Sequence, residues 1–365
     1  MTVTGDGIRV PGDLTPEWLT SVLSASGALA AGAVVESVAF EPVGTGQMAD
    51  TVRLSMTFDP SGAGPASLIA KFASADDTSR TTGLILRAYE IEVCFYDTVA
   101  DRVRTRTPRG YFGWHDPDTG WFVLLLEDAT EAIQGEQLEG CTPEVAVASL
   151  TEMAALHAPV WESPELGMLP WLNRSSPESN EMMAALVASL LPGFVERYQD
   201  RLEASHLALC ERFVAALGSW LGSLSGPRTV THGDFRLDNL LFRPGDPRPW
   251  VVDWQTASWG MAASDVAYFL GGSLTVADRR AHEHELLLGY HRSLAEQGVV
   301  GYGFAQLEDD YCLTCFGGIL MEIAASMLVK RTDRGDDMFV TSLQRHAQQA
   351  IDIDAEAMLQ RSANA

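Results

Sequence analysis

Alternating apolar and polar positions in the first third of the chain predict a set of β-strands. Val34–Phe40 alternates, and Thr51–Phe58 alternates cleanly, as half-buried strands do. Three further strands are predicted at Ser67–Phe72, Arg109–His115 and Trp121–Leu126, the last of which is a continuous apolar run typical of a central strand. Short turns rich in Gly, Pro and Asp separate several of these segments, so the pattern predicts a small sheet built largely from hairpins.

Helical spacing dominates much of the rest of the chain. A Thr-Pro-Glu sequence begins a predicted helix at residues 12–27 and another that starts at Thr142 and runs to His157. Thr is a favoured N-cap, and Pro fits the first helical turn. The remaining predicted helices lie at about residues 79–102, 178–190, 194–222, 276–297, 303–331 and 336–360, with one more that begins at Ser264 as its cap.

One charged residue lies within the apolar face of the helix predicted at residues 79–102. That face is formed by apolar residues at helical spacing: Ile85, Ala88, Phe95 and Val99. Glu92 falls inside this stripe, whereas Glu90 falls on the polar face. Lys71 interrupts an apolar strand, where a Lys either extends to the surface or pairs with an anion. Glu92 is therefore the candidate partner of Lys71, and a solvent-directed Lys with an unrelated Glu stays the alternative.

The most informative stretch runs from Thr229 to Trp254. A short β-branched strand leads into a polar loop, and two apolar strands joined by a Pro- and Gly-rich turn follow, the second of which ends on Asp253. This hairpin is predicted to bring Asp234, Asn239 and Asp253 to one end. Such oxygen ligands suit Mg²⁺, which usually retains waters and shares its other positions with phosphates. Phosphoryl transfer uses a metal ion in this way, together with a carboxylate that accepts the proton of the attacking hydroxyl.

The sequence His232-Gly233-Asp234, with Asn239 five residues after the Asp, resembles the catalytic loop of the aminoglycoside phosphotransferase and choline kinase-like superfamily. The resemblance covers about residues 40–270. It implies an α+β, protein-kinase-like two-lobed fold, with a five-stranded antiparallel sheet and one main helix in the small lobe. Residues 1–127 would form this nucleotide-binding lobe, and residues 128–365 would form a mostly helical lobe with the catalytic loop and the acceptor site.

The same resemblance implies a role for each matching residue. Asp234 would be the catalytic base, Asn239 and Asp253 would hold Mg²⁺, Lys71 would hold the α- and β-phosphates, and Glu92 would hold Lys71. Asp265 would brace the catalytic loop through hydrogen bonds. Further nucleotide contacts are expected from the backbone of Glu127, Asp128 and Ala129, and from Gly44 and Gly46, for which an ordinary hairpin with two glycines stays the alternative. The expected nucleotide is ATP, and GTP stays open.

Departures from the protein-kinase pattern favour the small-molecule branch of this fold. Gly233 stands where protein kinases have Arg, and Trp254-Gln255 follows Asp253 where they have Phe-Gly. The implied reaction is phosphorylation of a hydroxyl on a small molecule such as an aminoglycoside, an amino alcohol or a sugar. A catalytically silent nucleotide-binding protein of the same fold is the alternative, and a protein kinase is a weaker one.

Composition narrows the choice of partners. The chain has 365 residues and 46% hydrophobic content, enough for a sizeable core. Its formal net charge of -24 argues against nucleic acid or an anionic membrane as a partner. The charge is compatible with a cationic acceptor and equally with solubility alone. No apolar run approaches the ~20 residues that a membrane span needs. The N-terminus lacks a signal-peptide pattern, and five scattered cysteines indicate no disulfide framework. The expected location is the cytoplasm, and the oligomeric state is left open.

Overall fold

The computed structural model describes residues 3–43 and 49–363. Contacts within the chain divide it into two compact units. The first consists of Met1–Asp101, Thr107–Glu131 and Asp253–Thr256, and the second of Arg102–Arg106, Ala132–Val252 and Ala257–Ala365. A five-stranded antiparallel sheet near the N-terminus followed by a mostly helical region confirms the α+β fold expected from the sequence.

The first unit is built on one antiparallel sheet with the strand order β1-β2-β3-β5-β4. Its strands are β1 (Val34–Pro42), β2 (Ala49–Asp59), β3 (Ser67–Ala73), β4 (Gly110–His115) and β5 (Phe122–Glu127). Its helices are α1 (Pro16–Ala25), α2 (Asp77–Ile85) and α3 (Ala88–Thr98). The predicted strands match the observed ones closely, because alternation of side chains reports directly on which positions face the core.

The two faces of this sheet are covered by different apolar clusters. Leu125 of β5 belongs to a cluster that includes Leu19 of α1, whose first turn is capped by the Thr15 hydroxyl. Its neighbour Leu124 belongs to a second cluster with Val93 of α3. Consecutive residues of β5 thus face opposite sides, and both sides are buried, which explains the continuous apolar run of this strand.

The prediction of one helix over residues 79–102 is wrong. The segment forms α2 and α3, separated at Arg87, whose backbone is left-handed with φ +57°. Ile85 therefore does not share the buried stripe, and 74% of it is exposed. The break allows the Tyr89 ring to stack on Phe122 with 4.4 Å between centroids, while Gly83 of α2 approaches the same ring closely. Tertiary packing of Tyr89 overrides the local helical pattern.

The second unit is mostly helical. Its helices are α4 (Pro143–His157), α5 (Pro164–Gly167), α6 (Pro177–Tyr198), α7 (Ala204–Ser223), α8 (Ala262–Ser273), α9 (Val276–Glu296), α10 (Phe304–Thr314), α11 (Phe316–Leu328), α12 (Asp333–Asp352) and α13 (Glu356–Ala363). Its strands are β6 (Ile133–Gln134), β7 (Arg228–Thr231), β8 (Leu240–Phe242), β9 (Trp250–Val251) and β10 (Ser258–Met261). The predicted hairpin is the pair β8 and β9, and β7 pairs with β10 instead.

Several helix boundaries in this unit differ from those predicted. Helix α6 continues through Pro192 instead of ending before it. Although Pro cannot donate its backbone hydrogen bond, Phe194 and Tyr198 beyond it are buried, and α6 packs on α7 and α11. The helix predicted at 303–331 divides at Cys315 into α10 and α11. Ser264 is not the N-cap of α8, because its hydroxyl donates to the carbonyl of Met261, the residue at that position.

The stretch Phe304–Leu328 is apolar and long enough to cross a membrane by length and composition. The expectation that no apolar run approaches the length of a membrane span therefore does not hold here, because the charged residues are few enough to leave the stretch apolar on average. Half of its most apolar window is buried inside the protein. Its second part, α11, packs against α6, α8 and α12. These contacts are those of a core helix of the second unit.

Candidate active site

Lys71 lies in β3, and its ammonium contacts Glu92 of α3. The Nζ atom lies 2.6 Å from Oε1 and 2.7 Å from Oε2 of Glu92. The side chain of Lys71 is 12% exposed and that of Glu92 is 2% exposed, so the strand Lys is paired and does not extend into solvent. Glu90 forms a different ion pair, with two 2.7 Å hydrogen bonds from Arg87. The structure therefore contains the contact that the apolar stripe predicts.

Asp253 supplies a second carboxylate to the same ammonium. Its Oδ1 lies 3.1 Å from Nζ of Lys71. The Asp253 backbone is left-handed, with φ +69°, a conformation that residues other than Gly seldom adopt. The next residue, Trp254, stacks on Phe95 with 3.7 Å between ring centroids and donates its indole N–H to Thr107. This packing holds the backbone at Asp253 in place.

Two carboxylates share one ammonium in this cluster. Burial by itself disfavours the charged form of Lys71, but Asp253 and Glu92 together raise its pKa above the usual value. Burial raises the pKa of the Glu92 carboxyl, and the contact with Lys71 opposes that shift. With all three groups ionised the cluster carries one excess negative charge. This excess charge favours binding of a further cation at Asp253, the most exposed of the three side chains.

The structure says less about the other residues that were predicted to contact the nucleotide. Gly44 and Gly46 lie outside the described residues. Asp128 is buried, and its carboxylate accepts hydrogen bonds of 2.7 Å from both Arg53 and Ser67, so its side chain braces the sheet. The N–H of Glu127 donates to the carbonyl of Arg109. Contacts of a nucleotide base with the backbone at residues 127–129 stay a prediction.

Asp234 lies in the loop after β7, and donors hold both of its carboxylate oxygens. The hydroxyl of Tyr268 donates a 2.8 Å hydrogen bond to Oδ1. Nδ2 of Asn239 donates a 3.0 Å hydrogen bond to Oδ2, and Nε of Arg236 lies 3.2 Å from Oδ2 and 3.1 Å from Oδ1. A carboxylate has about four lone-pair sites. The side chain is 15% exposed, so Asp234 is oriented and keeps capacity to accept one more proton donor.

Asp265 of α8 braces the loop that carries Asp234. Its carboxylate accepts hydrogen bonds from the N–H groups of His232 (2.7 Å) and Gly233 (2.9 Å). His157 of α4 adds a third contact, with Nε2 3.1 Å from Oδ2, while its Nδ1 lies 2.7 Å from the Tyr290 hydroxyl. His157 is therefore a packed, hydrogen-bonded residue of the second unit.

Opposing effects determine the pKa of the Asp265 carboxyl. Burial by itself raises the pKa of the Asp265 carboxyl, but hydrogen bonds and charge interactions with His157 and His232 lower it below the usual value. Asp265 is thus ionised and acts only as an acceptor. The His232 ring extends the network, since its Nδ1 accepts from the N–H of Asp234 and its Nε2 donates to the carbonyl of Val252.

Asn239 and Asp253 each offer an oxygen donor of a kind that suits a hard divalent cation. Both hydrogen bonds of the Asn239 side chain use Nδ2 as the donor, to the carbonyl and Oδ2 of Asp234. Within the described residues, Oδ1 of Asn239 is therefore left with its lone pairs available. Asp253 offers a partly exposed carboxylate. Oxygen donors of these two kinds are those that Mg²⁺ prefers.

Sequence reasoning missed two residues that surround Asp234, namely Arg236 and Tyr268. Arg236 lies inside the recognised loop, and its two contacts with carboxylates of Asp234 and Asp238 raise the pKa of its guanidinium despite burial. Tyr268 follows Asp265 by three residues in one helix, so the two share a face, a signal available from spacing. Glu322 of α11 is buried and interacts electrostatically with Asp234 and Arg236. Burial raises the pKa of the Glu322 carboxyl well above the usual value.

The first unit has a five-stranded sheet with a buried Lys–Glu pair, and the helical unit has a braced His-Gly-Asp loop. These features define a protein of the kinase-like phosphotransferase class. The sequence model of the Phosphotransferase enzyme family (APH) matches residues 63–302. The chain belongs to this family.

Solved structures share the same fold. One is a provisionally assigned aminoglycoside phosphotransferase from Ralstonia eutropha JMP134, with a TM-score of 0.55 and 14% identity over 91% of this chain and 98% of that chain. Another is a choline kinase from Cryptosporidium parvum, with a TM-score of 0.56 and 9% identity over 89% of this chain and 91% of that chain. At such identities the likeness is one of fold alone.

Short segments also match curated relatives. Acyl-CoA dehydrogenase family member 11 from Gallus gallus is 31% identical over 85 residues, which is 21% of this chain and 11% of that protein. Acyl-CoA dehydrogenase family member 10 from Mus musculus is 41% identical over 71 residues, which is 18% of this chain and 6% of that protein. The matched segments span only a small part of the length of these relatives.

Proposed function

We propose that the protein transfers the γ-phosphate of ATP to a hydroxyl group of a small molecule, such as an aminoglycoside, an amino alcohol or a sugar. Membership of the Phosphotransferase enzyme family supports the reaction class. The observation that carries the proposal is the state of Asp234: Tyr268 and Asn239 hold its two oxygens, while the carboxylate can still accept one more hydrogen bond.

Asp234 is the proposed general base. It accepts the proton of the acceptor hydroxyl as the oxygen of that hydroxyl forms a bond to the γ-phosphorus. The bond from the γ-phosphorus to the bridging oxygen breaks, and ADP leaves. Hydrogen bonds from Tyr268 and Asn239 orient the carboxylate, and Asp265 holds the backbone of its loop. Positioning of this kind supplies much of the rate in phosphoryl transfer.

Lys71, paired with Glu92, is proposed to bind the α- and β-phosphates. Its pKa is raised by Asp253 and Glu92, so the ammonium stays charged at neutral pH. Asn239 and Asp253 are the proposed ligands of Mg²⁺, which when bound would neutralise phosphate charge. The pairing with Glu92 keeps the Lys71 ammonium from moving towards solvent.

The test measures ADP release from Mg-ATP in the presence of a panel of acceptors. The panel contains aminoglycosides, choline and ethanolamine, amino sugars and hydroxylated lipophilic metabolites. Asp234→Asn is run beside the wild type, and turnover should fall by ~10²–10⁴-fold. The amide has nearly the same shape, and the Tyr268 hydroxyl can turn its lone pair towards the new N–H, so folding and Mg-ATP binding should persist.

Asp246→Asn is the matched control. Asp246 lies in the turn between β8 and β9 and pairs with Arg106. This variant should retain wild-type turnover. One acceptor class that stimulates wild type and Asp246→Asn, but not Asp234→Asn, would establish the reaction and its acceptor. Near-native turnover by Asp234→Asn would refute the assigned base, and Mg-ATP binding without turnover on any acceptor would favour a silent nucleotide-binding protein.

A further inference from the structure

His346 of α12 is enclosed by glycines of two other helices. The imidazole is 1% exposed. A Cβ atom at Gly318 of α11 would lie 2.2 Å from its Nδ1, and one at Gly271 of α8 would lie 2.6 Å from the same atom. A Cβ at Gly272 would lie 2.8 Å from Nε2. These distances are too short for any side chain, so the three glycines create a slot that the ring occupies.

Within this slot the His346 ring stacks on Tyr268. The ring centroids lie 5.2 Å apart with an angle of 22° between the planes, an offset stack. The hydroxyl at the other end of Tyr268 donates the 2.8 Å hydrogen bond to Oδ1 of Asp234. His346 therefore connects to the proposed base through a single intervening side chain.

The charge states suit a purely orienting role. Burial and the Asp234 carboxylate raise the pKa of Tyr268 well above the usual value, so its hydroxyl keeps the proton and can only donate to Asp234. Burial lowers the pKa of His346 to about 3, so the ring is neutral at physiological pH. Two further charged groups act on the pKa of the Tyr268 hydroxyl: Glu322 raises it and Arg236 lowers it.

We propose that Tyr268 and His346 form a positioning pair for Asp234: His346 sets the plane of the Tyr268 ring, and the Tyr268 hydroxyl sets the orientation of the carboxylate. The inference rests on the proposed function, because it assigns these residues to the reaction of Asp234. The geometry that supports the pair is the glycine slot around His346 and the stack of its ring on Tyr268.

Tyr268→Phe tests the hydroxyl without disturbing the stack. The rate is measured with the best acceptor, or with water as the acceptor if no other compound stimulates ADP release. The kcat of the variant should fall about tenfold or more, which is the effect of losing one hydrogen bond to a charged group. The KM values for Mg-ATP and acceptor should stay within about twofold, since Tyr268 acts on the base and not on substrate affinity. A lower kcat with unchanged KM separates positioning from general destabilisation.

His346→Ala tests the stack, and the double variant tests whether the two residues act together. His346→Ala should lower kcat several-fold in the wild-type background. In the Tyr268→Phe background it should have no further effect on kcat, because the hydroxyl through which it acts is absent. His206→Ala is the control: His206 of α7 is equally buried, and neither of its ring nitrogens has a partner in the described part of the chain. That control should lower the unfolding temperature without changing kcat.

If Asp234→Asn inactivates the enzyme, the proposed function stands, and two outcomes would then overturn only the inference about Tyr268 and His346. One is a native kcat in Tyr268→Phe, and the other is an equal loss of kcat from His346→Ala in both backgrounds. If His346→Ala does not fold, Tyr268→Phe decides by itself. Absence of any turnover in the wild type would overturn the proposed function and this inference together.

Discussion

Oδ1 of Asp265 accepts a 2.9 Å hydrogen bond from the N–H of Gly233, the residue before Asp234 in the chain. Oδ2 of the same carboxylate accepts the preceding N–H, that of His232, at 2.7 Å. Gly233 has a left-handed backbone with φ +79°, a conformation that Gly adopts without steric cost. A side chain of α8 therefore determines the path of the backbone into the proposed base.

Asp265→Asn should weaken both the fold and the reaction. An amide presents one oxygen and one NH₂ group, so one of the two loop N–H groups would face a donor and lose its acceptor. The free energy of unfolding should fall by about 1–3 kcal/mol, the cost of an unsatisfied buried group, and kcat should fall with it. Urea unfolding and steady-state kinetics measure the two effects. Asp309→Asn, at an exposed position of α10, should change neither, and native behaviour of Asp265→Asn would contradict the brace.

The two glutamates of α3 should differ sharply in their effect on nucleotide binding. Glu92→Gln removes the charge that balances Lys71, whereas Glu90→Gln removes a partner of Arg87. We expect Glu92→Gln to weaken Mg-ATP binding at least about tenfold, the loss of one charge-assisted contact, and Glu90→Gln to bind normally. Nucleotide titration by calorimetry measures both. Equal affinities of the two variants would argue that the Lys71–Glu92 pair is structural.

Asp253 can be substituted in two ways that separate its charge from its backbone. Asn tolerates the left-handed conformation of Asp253, so Asp253→Asn should unfold at nearly the wild-type temperature while losing Mg²⁺-dependent turnover. Asp253→Ala should lose the same turnover and also about 1 kcal/mol of stability, because Ala is strained at φ +69°. Thermal unfolding and the Mg²⁺ dependence of ADP release test this. Full activity of either variant would exclude Asp253 as a metal ligand.

Acid should remove the stabilising contribution of Asp352. Arg280 holds the pKa of this carboxyl down to about 2, against an ordinary value of 3.8, although burial opposes the shift. Because the folded-state pKa is lowered, the contribution is complete above the ordinary value and is lost as the pH falls towards 2. Asp352→Asn should therefore cost about 1 kcal/mol near pH 7, after allowance for solvent screening. The difference in unfolding free energy from wild type should shrink between pH 5 and pH 3, and a constant difference would contradict the assignment.

Local patterns predicted the elements with periodic burial. β2 and β3 alternate, β5 is apolar throughout, and the caps at Thr15 and Thr142 begin helices as expected. The Lys71–Glu92 contact was also accessible, because the apolar stripe around Glu92 distinguished it from Glu90. In each case the information lies within one turn or one strand, where side-chain direction follows directly from sequence spacing.

Predictions failed where packing between elements competes with a local preference. Pro192 ordinarily ends a helix, but burial of Phe194 and Tyr198 keeps α6 continuous. Ile85 has the right spacing for the α3 stripe, but the left-handed backbone at Arg87 rotates it into solvent. Neither outcome is encoded in a window of a few residues, because the energy that decides it comes from residues distant in the chain.

The sequence by itself determined the order and spacing of His232, Asp234 and Asn239, and with them the class of reaction that the chain resembles. Only the tertiary structure decided which side chains hold the proposed base, and that Asp253 joins Glu92 at the proposed phosphate-binding Lys. Tyr268 reaches Asp234 across 34 residues, and Asp253 reaches Lys71 across 182. A motif reports residues that are adjacent along the backbone. The orientation and charge of each carboxylate depend on donors that packing brings from distant parts of the chain.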